Sequence, residues 1–195
     1  MGSLTFRDRV DFHRLNSDGE SSSNYRRTIF LAEYEEKTVL VKFCERYGEA
    51  AHRTLAAEGL APKLHFCSLI MGDMFMVVID LVDGRDAYRE FRRRDLPSTV
   101  LDDVKLALEK LHDAGLVFGD VRRPNIMVYK SREKGEEEWR GLLVDFDWAG
   151  PIGQSKYPAM LNTSIYWADG VAPAVELKKE HDLDMLAKLN LGENL

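Results

Sequence analysis

In the run Asp120-Val-Arg-Arg-Pro-Asn125 a carboxylate is followed five positions later by an amide, and Asp145 closes the apolar run Leu142-Leu-Val144. These are the groups that magnesium-assisted phosphoryl transfer uses. One carboxylate faces the acceptor hydroxyl, while an amide oxygen and a second carboxylate hold metal against the phosphates. The same residue types also cap turns and strand ends through local hydrogen bonds. The order of the surrounding elements favours the first reading: apolar helix, Gly119-Asp120, Pro124-Asn125, apolar Ile126-Met-Val-Tyr129, charged turn, apolar strand, Asp.

Those elements are read from hydrophobic period and punctuation. Leu101, Val104, Leu108 and Leu111 keep helical spacing up to the stop at Gly115, which predicts a helix over 98–113. Strands are expected at 28–32 and 38–43, joined by a Glu-rich turn at 33–37, and again at 63–67 and 74–81. A helix over 47–58 ends at Gly59, and another spans 86–93. Residues 130–138 form an exposed hairpin, and Leu183, Leu186 and Leu189 space a closing helix over 179–191. Ahead of the polar loop at 16–24, a weakly marked first strand is expected around 10–15. Val82-Asp-Gly84 marks the waist between a strand-rich and a helix-rich part.

The chain has 195 residues, 45% of them hydrophobic, enough for one good core or two small ones. A formal charge of −6 gives no electrostatic case for nucleic-acid binding, and Arg92-Arg-Arg94 reads as a solvated helix face. No apolar run is long enough for a membrane span, and the N-terminal residues carry no signal-peptide core. Cys44 and Cys67 read as reduced core thiols, with a disulfide as the alternative, and the expected compartment is cytoplasm or nucleus.

The catalytic-loop pattern at residues 118–125, with the Asp145 strand end, resembles the protein-kinase-like superfamily, which also holds aminoglycoside and choline kinases. The resemblance implies an α+β, bilobal fold: a small antiparallel-sheet lobe over 1–82 and a truncated, mainly helical large lobe over 83–195, similar to compact fungal kinase-like proteins. It implies ATP and Mg as cofactors. Lys42, in Val39-Leu-Val-Lys42-Phe43, would reach the ATP phosphates and pair with Glu49, with Glu58 as the alternative. Ile79, Asp80 and Val82 would border and hydrogen-bond adenine. Asn125 and Asp145 would hold Mg, Asp120 would accept the acceptor's proton, and Arg122 would contact the γ-phosphate. Asp182, or else Asp184, matches the buried Asp that bonds the catalytic loop; capping of the last helix is the alternative role for Asp182.

The chain also departs from the pattern. Phe118 stands where many members have His, Asp147 replaces a Gly, and only Gly19 with Ser21-Ser-Ser23 offers a phosphate-covering loop. The acceptor implied is a hydroxyl, a protein Ser or Thr being favoured over a small molecule because few residues follow Asp147. A pseudokinase acting as a nucleotide-binding or scaffold module is the alternative.

Overall fold

The computed structural model describes residues 4–9, 28–70, 72–133 and 135–190. The fold is α+β, in two compact units: Met1–Arg46 with Leu64–Leu81, and Tyr47–Lys63 with Val82–Leu195.

The first unit is one antiparallel sheet of five strands: β1 (Leu4–Arg9), β2 (Thr28–Tyr34), β3 (Lys37–Cys44), β4 (Leu64–Ile70) and β5 (Met74–Asp80), in the order β1-β2-β3-β5-β4. Two-residue alternation puts Val39 and Val41 on one face. There they meet Ala32 and Val78, with Phe30, Phe43 and Met76 packed against them. The β2–β3 turn is tighter than its five-residue Glu-rich sequence suggests. Tyr34 pairs with Lys37, and Glu35 and Glu36 both take left-handed φ values of 49° and 63°. This is the geometry of a two-residue hairpin that more often uses Asn-Gly.

The strand expected around 10–15 and the loop bearing Gly19 and Ser21 to Ser23 lie outside the described residues. The first described strand is instead β1, whose Arg7, Asp8 and Arg9 hide its alternation. Phe6 ties the strand down by meeting Phe30 edge-on at 5.6 Å.

The second unit carries α1 (Glu49–Ala57), β6 (Arg85–Asp86), α2 (Ala87–Phe91), α3 (Ser98–Asp113), β7 (Leu116–Val117), β8 (Ile126–Glu133), β9 (Glu136–Leu143), β10 (Gly150–Pro151) and α4 (Lys179–Lys188). Its core gathers Val100, Val104, Ala107, Leu108 and Leu111 of α3 around Leu55, Phe118, Ile126, Leu143 and Phe146. Full burial of each large side chain is worth about 1.5–3 kcal/mol. Leu101, expected in this stripe, is only half-buried, and Val100 takes the place beneath it. At the end of α3, Gly115 adopts φ 74° and donates to the His112 carbonyl at 3.2 Å, the left-handed stop expected from its type. Buried Asp103 fastens α3 to β9, accepting two bonds from Arg140 at 2.8 and 2.7 Å and one from the Gly141 amide.

The charged hairpin forms as expected, though β9 begins at Glu136, so its first half is polar. Cys44 and Cys67 are thiols, not a disulfide. No helix among the described residues is long and apolar enough to cross a membrane.

Candidate active site

The loop from Phe118 to Asn125 is held by hydrogen bonds on both sides. From α4, the Asp182 carboxylate accepts the Phe118 amide at 2.9 Å and the Gly119 amide at 2.7 Å, with His112 Nε2 at 2.9 Å. Asp182 is therefore the buried acceptor, not a helix cap, and Asp184 pairs with Lys188 instead. Gly119 is required here. Its φ is 83°, and a Cβ would collide with Leu177 Cδ2.

Asp120 follows, buried, and meets Arg122 through two bonds, Nε to Oδ1 at 2.5 Å and Nη2 to Oδ2 at 2.8 Å. The Arg122 guanidinium also lies 5.2 Å from the ring centre of Trp167. Arg122, expected at a phosphate, thus rests on the carboxylate two residues before it. A turn of 3₁₀ helix, Arg123–Asn125, closes the loop, with the Asn125 Nδ2 donating to the Asp120 carbonyl at 3.0 Å.

The β8–β9 register explains how Asn125 and Asp145 come together. Ile126 pairs with Leu143, so Asn125 stands opposite Val144, whose amide donates to the Asn125 carbonyl at 3.0 Å. Asp145 is the next residue. Its φ of 68° lies in the left-handed region, which Asp tolerates better than most non-glycine residues. Phe146 then drops into the core, stacked on His52 (4.4 Å, 6° between planes) and edge-on to Phe118 at 5.4 Å. Phe118 joins this column of rings. His52 is a member that hydrophobic patterning gave no reason to single out. It bonds Tyr47 Oη and the Pro62 carbonyl at 2.5 and 2.7 Å.

The donor set suits magnesium. With Nδ2 committed to Asp120, Asn125 could offer its amide oxygen to a metal, and Asp145 could add a carboxylate. Mg binds through one or two such oxygens together with phosphates.

The aromatics beyond Asp147 form a cluster around Tyr157, which contacts Trp148 (5.8 Å), Trp167 (6.4 Å) and His181 (5.6 Å). Burial, reinforced by the Asp182 and Asp120 carboxylates, pushes the Tyr157 phenol far above its ordinary range, so it stays neutral. Burial also lowers His181, with Lys178 adding to the effect.

The remaining expected residues are placed by their own elements. Lys42 is buried on β3, between Ile29 of β2 and Val77 of β5 in register, and strand alternation sets it opposite the Val41 face. Ile79 and Asp80 end β5, with Asp80 Oδ1 2.6 Å from His65 Nε2. Val82 is half-buried and opens the longer segment of the second unit. Glu49 opens α1 and accepts from Arg53 at 2.8 Å, one turn on. Glu58 meets Lys110 at 3.0 Å.

The model of the fungal protein kinase family matches residues 76–186, from β5 into α4, a stretch that contains Asp120, Asn125, Asp145 and Asp182. Among solved structures, the Cydia pomonella granulovirus kinase PK-1 superposes with a TM-score of 0.64 at 14% identity, over 96% of this chain and 68% of that one. Vaccinia related kinase 3 gives 0.63 at 13% identity, over 98% of this chain and 64% of that one. At these identities the likeness is one of fold, and the chain spans about two thirds of each kinase. No curated protein matches it in sequence.

Proposed function

The chain belongs to the fungal protein kinase family, and on that premise we propose that it is a phosphotransferase moving the γ-phosphoryl group of ATP to a hydroxyl, with a protein Ser or Thr as acceptor. The observation that supports this reading is a pair of bonds at one end of the β8–β9 hairpin: the Asn125 side-chain amide donates to the Asp120 carbonyl, and the amide of Val144, the residue before Asp145, donates to the Asn125 carbonyl. In the reaction the acceptor oxygen bonds to the γ-phosphorus as the bond to the bridging β–γ oxygen breaks, and ADP leaves. Asp120 aligns the hydroxyl and takes its proton. Arg122, paired with Asp120 through two bonds, balances that buried negative charge and carries a guanidinium suited to phosphate.

Asn125 and Asp145 would hold Mg, which when bound neutralises phosphate charge. Lys42 would orient the phosphates with Glu49 as its partner, and Ile79, Asp80 and Val82 would line the adenine site. Catalysis of this kind rests on positioning and electrostatics.

The test is a melting curve with and without Mg-ATP, repeated on Asp145→Asn. Nucleotide at a hundredfold over its dissociation constant stabilises by about 2.7 kcal/mol. For this size of chain that is on the order of 5–10 °C. The shift should shrink in the variant; no shift in the parent removes the reading. A shift without transfer to any protein or small-molecule hydroxyl would make the chain a nucleotide-binding scaffold.

A further inference from the structure

The three consecutive arginines after α2 do not form a helix face. The helix ends at Phe91, and Arg92, Arg93 and Arg94 are an exposed turn. Arg92 holds φ 41° and ψ −105°, a conformation that strains a residue with a side chain. Such strain persists only where its surroundings enforce it, and it gathers at functional positions.

The enforcing group is Arg123. Its guanidinium is buried, and burial lowers its pKa from the ordinary value. Nη1 donates to the Arg92 and Arg94 carbonyls, each at 2.9 Å, and Nε to the Leu189 carbonyl at 2.7 Å. Asn190 completes the clamp, accepting the Leu96 amide at 2.9 Å and Arg123 Nη2 at 3.3 Å. One buried cation thus fixes the strained turn to the end of α4 and to the loop that bears Arg122 and Asp120.

The turn so held presents positive charge. Residues 85–95 contain Arg85, Arg89, Arg92, Arg93 and Arg94 against Asp86, Glu90 and Asp95, within a chain of net charge −6. Asp86 is already engaged, accepting the Arg89 amide and lying 3.4 Å from its Nε. Arg94 folds back over Phe91 and bonds the Glu90 carbonyl at 2.6 Å. Arg85 and Arg93 stand exposed.

We infer that this turn docks an acidic stretch of the polypeptide acceptor. The inference rests on the phosphotransferase reading and specifies its substrate. Charge complementarity selects a short acidic peptide over nucleic acid, because the overall negative charge opposes a long polyanion while a local basic patch engages a few carboxylates. Through Arg123 the docked chain is anchored to the catalytic loop itself, which raises the local concentration of its hydroxyls.

The experiment measures anisotropy of two fluorescein-labelled peptides with the full chain, without nucleotide. Both contain Ser; one carries a run of Glu, the other Gln at the same positions. The Glu peptide should bind more tightly, and less so as salt rises. Arg85→Gln with Arg93→Gln should weaken it about three- to tenfold, leaving the Gln peptide and the melting temperature unchanged. Arg93→Lys alone should keep most of the preference. Equal affinity for the two peptides, or an unaltered preference in the double variant, overturns the proposal. So does a duplex oligonucleotide that binds the patch more tightly than the Glu peptide. A chain that prefers the Glu peptide but shows no Mg-ATP shift keeps the docking surface and loses the phosphotransferase reading; a shift with equal peptide affinities does the reverse.

Discussion

The sheet unit and the catalytic-loop unit reach order by opposite means. In the first, neighbouring strands pair in simple antiparallel register and an apolar face of Val39, Val41, Ala32 and Val78 does the rest, so Lys42 is located by alternation alone. In the second, the loop that carries Asp120 has little regular structure. Carboxylate and guanidinium groups from distant segments hold it: Asp182 from α4, and Arg123 reaching Leu189. Apolar packing tolerates small changes in volume, whereas a buried polar group that loses its partner is left with a large desolvation penalty. The contrast implies that single substitutions hurt the two units through different channels.

The largest expected effect is chemical. Asp120→Asn keeps the size of the side chain but removes the proton acceptor. It should lower kcat by about 10²–10⁴-fold, measured by phosphate transfer to a Ser-bearing protein. An activity within twofold of the parent would remove Asp120 from the catalytic role.

Next is the polar clamp. Asp182→Ala strands the buried Phe118 and Gly119 amides, which should cost about 3–5 kcal/mol. That corresponds to a fall on the order of 6–20 °C in melting temperature. Amide exchange should accelerate at Phe118 and Gly119 first.

Val41→Ala in the sheet probes the other channel and should cost about 2 kcal/mol, since it removes two buried carbons from a face with no polar group to strand. Exchange should rise across β2, β3 and β5 together. All three tryptophans, Trp139, Trp148 and Trp167, lie in the second unit, so their fluorescence reports whether that unit loosens as well.

The smallest effect is a slope. His181 is neutral in the fold because burial, with Lys178, lowers its pKa. The unfolded chain therefore binds the proton first, and stability falls as pH drops below about 6.5. The neighbours facing it are the Tyr157 hydroxyl at 3.3 Å and the charges of Lys178, Glu180, Asp182 and Asp184. Between pH 7 and 5 the melting temperature of His181→Gln should decline less steeply than that of the parent; equal slopes would show that His181 is not the group responsible.

Much of this architecture could be read in advance where local rules suffice. The spacing of Val104, Leu108 and Leu111 with Gly115 behind them defines α3 to its ends, and the charged stretch between two apolar runs defines the β8–β9 hairpin. Other features escaped. β1 carries more charge than an interior strand would, and the Glu35–Glu36 turn uses residues that rarely adopt positive φ. Arg123 looks like any loop arginine until Leu189 and the Arg92–Arg94 turn are brought to it. His52 gives no sequence sign that it will stack on Phe146.

Local chemistry was determined by the order of residues alone: which carboxylates and amide are available, which side chains alternate or repeat, and where glycine stops a helix. Those properties depend on neighbours a few positions apart. Only the tertiary structure decided that Asp182 rather than Asp184 receives the loop amides, that Arg122 rests on Asp120, and that Arg123 is buried under a strained turn. Each outcome depends on groups far apart in the chain meeting in a medium of low polarity, where an unmatched partner is expensive and one pairing is selected over its neighbours.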